Sequence, residues 1–204
     1  MRTPRKSLVL AACAAGALTL AAVAGLTVLA PERPKVTTSG VADIGGPFRL
    51  TTQDGKPLSD ADLKGTPFAV FFGFTHCPEV CPTTLWELSQ ALQKLGPDAD
   101  RIKVLFVTLD PARDTPELLK SYLSSFDPHI VGLTGSEEDI AKLAKAYKVY
   151  WRKVPTDNGD YTLDHSAIVY LMDANGAFTG TIAYQEKDVA QVAKLRSLAE
   201  QGRS

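Results

Sequence analysis

The sequence predicts an α/β fold, a mixed sheet flanked by helices, with an N-terminal transmembrane helix ahead of it. Three observations lead there. Apolar runs of strand length alternate with amphipathic helical segments through the middle of the chain. Late in the chain, two apolar runs are separated by a tight turn, the pattern of an antiparallel hairpin. Near the start, a long charge-free apolar run follows a cluster of basic residues. With 204 residues, 45% hydrophobic and 22% charged, the chain has the composition of a folded protein: one ordinary domain plus accessory sequence.

Arg2, Arg5 and Lys6 precede the apolar run from Leu8 to Ala30, which is long enough to cross the ~30 Å hydrocarbon core as a helix. Positive charge ahead of the span holds the start in the cytoplasm and exports the remainder. Residues 1–7 are therefore expected as a cytoplasmic start and 8–30 as a single-pass anchor. Residues 31–44 read as a linker containing Pro, Thr, Ser and Gly, and 45–204 as the folded domain. Two other readings compete for the apolar run. One is a cleaved signal peptide with Ala22–Val23–Ala24 as its site; the other is a lipoprotein signal at Leu10–Ala11–Ala12–Cys13, disfavoured because little apolar sequence precedes Cys13. All three leave the domain on the outer, periplasmic side of the cytoplasmic membrane.

Within the domain, Phe48–Thr52 and Pro57–Ser59 form a hairpin around Asp54–Gly55. Phe68–Phe74 is apolar without interruption, as expected of a central strand buried on both faces. Pro82 opens a helix to about Leu95, with Leu85, Leu88, Leu92 and Leu95 on one face, and Gly96–Pro97 stops it. Ile102–Leu109 is a second buried strand. Asp114 and Thr115 offer caps to a helix that begins at Pro116 and reaches about Ser125. Ile130–Leu133 is a short strand, and Ser136 starts a helix to about Lys148. Val149–Val154 extends as a strand before a polar turn at Thr156–Asp160. Ser166–Met172 and Ala177–Tyr184 flank the turn Asp173–Gly176, and Glu186–Glu200 closes the chain as a helix. Strand–helix–strand order implies parallel strands with right-handed crossovers, and the hairpin adds antiparallel ones.

The net charge is −1, from 22 basic and 23 acidic residues, so no field is available to hold a polyanion and nucleic acid is excluded as a partner. Three cysteines are too few for a disulfide-built scaffold. Cys77 and Cys81 stand apart from Cys13, with Pro78, Glu79 and Val80 between them. They fall between a buried strand and a helix start, where a thioredoxin-like fold carries its chemistry. The positive end of the helix favours thiolates, the form that attacks disulfides and binds metals. The wider spacing still permits a redox disulfide, and it also gives two sulfurs room to converge on one ion. Two thiolates suit Cu(I) or Zn(II). A structural zinc site wants four ligands, which two cysteines alone cannot supply.

The histidines are His76, His129 and His165. His76 adjoins Cys77 but reads as a loop residue, since neighbours on an extended segment point opposite ways. His129 reads as a surface residue. His165, at the entrance of the Ser166–Met172 strand, reads as a hydrogen-bonded residue or a ligand; periodicity does not separate the two.

The segment Gly73-Phe-Thr-His-Cys-Pro-Glu-Val-Cys-Pro-Thr-Thr-Leu85 resembles the signature of the Sco/SenC family. Val107–Pro116, Asp164–Ser166 and Tyr170–Asp173 agree with it in order, over about residues 44 to 200. Glu79 stands where Asp is expected as commoner, which keeps the charge. The resemblance implies a thioredoxin-like domain and a site for one copper ion made by Cys77, Cys81 and His165. It implies a membrane-tethered metallochaperone that assists assembly of the CuA centre in cytochrome c oxidase subunit II, with other periplasmic copper carriers as further partners. It also implies an alternative activity, thiol–disulfide reduction by Cys77 and Cys81. Asp164 is expected to orient the His165 ring or to cap the strand entry. Asp110, Arg113 and Asp114 are expected to shape a loop and a helix cap.

Overall fold

The computed structural model describes residues 43–157 and 159–202. The apolar run 8–30, Cys13 and most of the linker lie outside these residues. Among the described residues no helix is long and apolar enough to cross a membrane.

The strands are β1 (Arg49–Thr52), β2 (Pro57–Ser59), β3 (Phe68–Gly73), β4 (Lys103–Thr108), β5 (Ile130–Thr134), β6 (Trp151–Pro155), β7 (Tyr161–His165), β8 (Ile168–Met172) and β9 (Phe178–Ala183). The helices are α1 (Val80–Leu95), α2 (Pro116–Leu123), α3 (Glu137–Ala146) and α4 (Asp188–Gln201). Seven strands form one sheet in the order β2-β1-β5-β4-β3-β8-β9, while β6 and β7 pair only with each other. β3 runs parallel to β4 and antiparallel to β8. The expected parallel core and antiparallel hairpin are both present.

β3 holds the centre because every residue of Phe-Ala-Val-Phe-Phe-Gly is buried. Alternate side chains serve opposite faces. Phe71 meets Phe106 of β4, which meets Tyr122 of α2. Phe72 meets Tyr147, just after α3, and Tyr170 of β8 edge-on. Helices therefore cover both faces. α1 buries Leu85, Leu88, Leu92 and Leu95, and Gly96 ends it at a positive φ of 59°. Thr115 caps α2 by accepting from the Leu118 amide, and Ser136 caps α3 by accepting from the Asp139 amide.

Three sequence expectations change. α1 begins at Val80, two residues before Pro82; Pro82 sits in the first turn, where its missing N–H would have no helical partner anyway. Asp114 leaves the capping to Thr115 and turns inward. Residues 161–165 form β7, a strand the sequence pattern did not disclose, so His165 closes one strand as well as lying just ahead of the next, β8.

Candidate metal centre

The cysteines are set by the junction of β3 with α1. The Cys77 amide donates back to the Phe74 carbonyl at 3.3 Å, curling the chain out of the strand. Cys81 then lies in the first turn of α1, and its amide donates to Cys77 Sγ at 3.4 Å. The helix start thus directs an N–H at a sulfur, which stabilises negative charge there. Cys81 is fully buried and Cys77 half-buried, and both are free thiols.

Gly73 makes this seat possible. A Cβ on it would stand 2.6 Å from Cys81 Sγ and 2.8 Å from the Phe106 ring. Any side chain would push the sulfur out, so the last residue of β3 must be glycine for Cys81 to pack against the sheet.

His165 reaches the sulfurs from the separate β6–β7 hairpin. Its Nε2 lies 3.5 Å from Cys81 Sγ, across a sequence separation of 84. Its Nδ1 lies 3.0 Å from the Ser166 carbonyl oxygen. A carbonyl only accepts, so Nδ1 carries the proton and the Nε2 lone pair faces the sulfurs. The ring packs against Phe71 at 6.2 Å and edge-on against Phe74 at 5.8 Å. Among the described residues, Cys77, Cys81 and His165 form a donor cluster whose ligating atoms all lie within 4.8 Å of one another.

The two thiols divide their acidity. Cys77 is lowered to about 4, first by the hydrogen bond from the Cys81 thiol and then by the backbone amides of Cys81 and Glu79, against its burial. Cys81 is pushed well up, first by burial and then by the charge and hydrogen bond of Cys77. The pair therefore holds one thiolate at neutral pH, on the more accessible sulfur, with the second proton shared inward.

The other expected residues are elsewhere. His76 Nδ1 bonds Thr75 Oγ1 at 3.0 Å and its ring is half exposed. His129 sits between Asp127 at 2.6 Å and Asp100 at 3.0 Å. Asp164 does not orient His165. It points to the opposite face of β7 and takes two bonds from Arg152, at 2.9 and 2.8 Å. The ring is oriented by the Ser166 carbonyl instead.

The loop between β4 and α2 supports the centre in a way the sequence did not reveal. Asp114 is fully buried and accepts from the Thr75 amide at 3.0 Å, the Thr75 hydroxyl at 2.6 Å and the Thr108 hydroxyl at 2.6 Å. It thereby fixes the chain two residues before Cys77. Asp110, also buried, accepts from the Tyr161 hydroxyl at 2.7 Å and from Arg113. Gly73, Thr75, Thr108 and Tyr161 were missed as supporting residues. Gly73 left one signal, a glycine ending an otherwise bulky buried run; the others left none.

The SCO1/SenC family model matches residues 36–200. The mitochondrial protein SCO2 of Saccharomyces cerevisiae is 43% identical over 162 residues, covering 77% of this chain and 53% of the yeast protein. The chain thus spans about half the length of that relative. The structure of Bradyrhizobium japonicum ScoI with copper bound is 50% identical, with a TM-score of 0.72, and covers 76% of this chain and 99% of that one. BsSco, a member of the Sco family of cytochrome c oxidase assembly proteins in which a disulfide switch was identified, is 25% identical with a TM-score of 0.61, over 77% of this chain and 94% of that one. With its cysteine pair, its distant histidine and a family match over most of its length, the chain belongs to the SCO1/SenC family.

Proposed function

We propose that this chain is a copper metallochaperone. It carries one copper ion on Cys77 Sγ, Cys81 Sγ and His165 Nε2. It serves the assembly of the CuA centre in cytochrome c oxidase subunit II, from an anchored position outside the cytoplasmic membrane. The observation that carries this reading is the convergence of three donors with a fixed imidazole tautomer. Two sulfurs and one nitrogen form a soft, low-coordinate set that suits Cu(I). A structural zinc site would want a fourth donor, and among the described residues the cluster numbers three. The copper-bound relative supports the choice of metal, and BsSco supports the assembly role. The charge-free run 8–30 supports the anchor.

The test is copper titration of the reduced protein. Wild type should bind about one equivalent, and Cys77→Ala, Cys81→Ala and His165→Ala should each weaken binding, because each removes one donor. Undiminished affinity in His165→Ala would overturn the three-donor site.

The divided thiol acidity favours a second reading, reduction of a partner disulfide. The Cys77 thiolate attacks one partner sulfur, forming a mixed disulfide and releasing a partner thiolate. Cys81 gives up its proton and attacks Cys77 Sγ, which breaks the mixed disulfide. A Cys77–Cys81 disulfide forms, and the partner leaves with two electrons and, after one proton from Cys81 and one from solvent, two thiols. This reading requires both cysteines and leaves His165 dispensable. Retained exchange in His165→Ala with loss of copper binding would show the two activities separable on one site.

A further inference from the structure

The β6–β7 hairpin lies outside the main sheet, yet it must deliver His165 to within bonding reach of two sulfurs that belong to that sheet. Its own burial is slight: β6 is largely exposed, and in β7 only Leu163 is fully buried. Tyr161, Leu163 and His165 occupy alternate positions of β7 and so share one face. Tyr161 stands at the far end of the strand, about 13 Å from His165 at the rise of an extended chain.

That far end is gripped from the β4–α2 loop. The Tyr161 hydroxyl donates to the buried Asp110 carboxylate at 2.7 Å. The Arg113 guanidinium lies 3.8 Å above the centre of the Tyr161 ring and donates to the Tyr161 carbonyl oxygen at 3.0 Å. Asp110 and Arg113 are themselves bonded, and the amides of Arg113 and Asp114 both donate to the Asp110 carbonyl, at 3.1 and 2.9 Å. Asp114, the last residue of the same five-residue turn, holds Thr75 beside the cysteine loop. Thr108 links the two carboxylates' supports, taking the Asp110 amide at 2.9 Å and donating to Asp114 at 2.6 Å. One tight turn thus touches both the segment that carries Cys77 and the strand that carries His165.

We propose that Asp110 and Arg113 are positioning residues: by gripping Tyr161 they set the place of His165 along β7, so that the turn Asp110–Asp114 holds the histidine and cysteine halves of the centre in register. The inference rests on the three-donor reading above. A strand anchored only at the histidine would be free to slip or tilt, and a slip of one residue would turn the imidazole to the other face. Fixing the opposite end removes that freedom before any ion arrives, which raises the fraction of molecules ready to bind.

Tyr161→Phe tests this with the loss of a single oxygen, keeping the ring under Arg113 so that the fold is retained. Three results are expected. Hydrogen exchange of the β6–β7 amides in the metal-free protein speeds by about tenfold, the loss expected for one hydrogen bond to a charged group, while the β3 and β4 amides do not change. Copper affinity falls by about three- to tenfold. In a His165→Ala background the same substitution causes no further loss of copper affinity, because the residue it positions is gone. A merely structural role would lower affinity equally in both backgrounds, and that result overturns the proposal. Unchanged hairpin exchange or unchanged affinity in the native background overturns it as well. Failure of the three-donor reading looks different: there His165→Ala alone binds copper as tightly as wild type, and the exchange arm still decides whether the grip exists.

Discussion

The two halves of the centre are built by different means. The cysteine half stands on β3, buried along its whole length and paired on both sides, and on the first turn of a sixteen-residue helix. The histidine half stands on a two-stranded hairpin with one fully buried residue in β7. Burial of apolar area holds the first. Side-chain hydrogen bonds from a neighbouring loop hold the second. The sulfurs are therefore a fixed platform, and the histidine is the part whose placement depends on a few polar contacts of about 1–3 kcal/mol each.

The contrast can be broken from the cysteine side with the largest effect. Asp114→Ala would leave the Thr75 amide and the Thr108 hydroxyl without their acceptor in the interior. A loss of about 3 kcal/mol or more is expected in denaturant unfolding, since buried donors left unpaired carry their full desolvation cost. Gly73→Ala comes next. Its methyl group would overlap Cys81 Sγ and the Phe106 ring, and overpacking of this kind costs about 1–3 kcal/mol. Displacement of the Cys81 sulfur should also lower copper affinity, read in the same titration, with the histidine hairpin undisturbed in its amide exchange.

The acidity of Cys77 sharpens the comparison by a measurement without mutation. Its folded value, lowered to about 4, lies far below that of a free thiol, so the thiolate is present above that value and is lost as pH falls through it. Alkylation of the native protein by a neutral reagent should therefore be nearly flat from about pH 6 to 8 at Cys77. The same range should leave Cys81 unmodified, because it is buried and its acidity is shifted the other way. A Cys77 rate that climbs tenfold per pH unit across that range would show an ordinary thiol and remove the basis for the divided pair. The smallest effect is expected from Asp164→Asn. Its bond with Arg152 lies on the exposed face of the hairpin, where such pairs contribute about 0–1 kcal/mol. Neither stability nor copper affinity should change beyond that in unfolding and titration experiments.

The same division explains what could be read in advance. β3, α1 and the dithiol between them were legible because continuous apolar sequence, leucine spacing and a helix stop are local signals. β7 was not, because Tyr-Thr-Leu-Asp-His is a half-exposed strand whose alternation is masked by polar residues on both faces. Asp110, Arg113 and Asp114 were read as a loop and a cap. Their true partners, Tyr161 and Thr75, lie 51 and 39 positions away, and no periodicity encodes a contact of that kind. His165 could not be chosen over His76 and His129 by pattern either; the resemblance of four separate segments to one family supplied it.

The amino-acid sequence by itself determined a mixed α/β domain and a pair of thiols at the start of a helix, because strand burial, helix periodicity and the helix dipole act over a few residues. Only the tertiary structure decided how closely a histidine 84 positions away approaches those sulfurs, that its Nε2 is the nitrogen facing them, and that the two thiols part in acidity. Each of these depends on distances of a few ångströms between segments remote in the chain, and such distances exist only after the sheet, the hairpin and the loop that ties them have closed on one another.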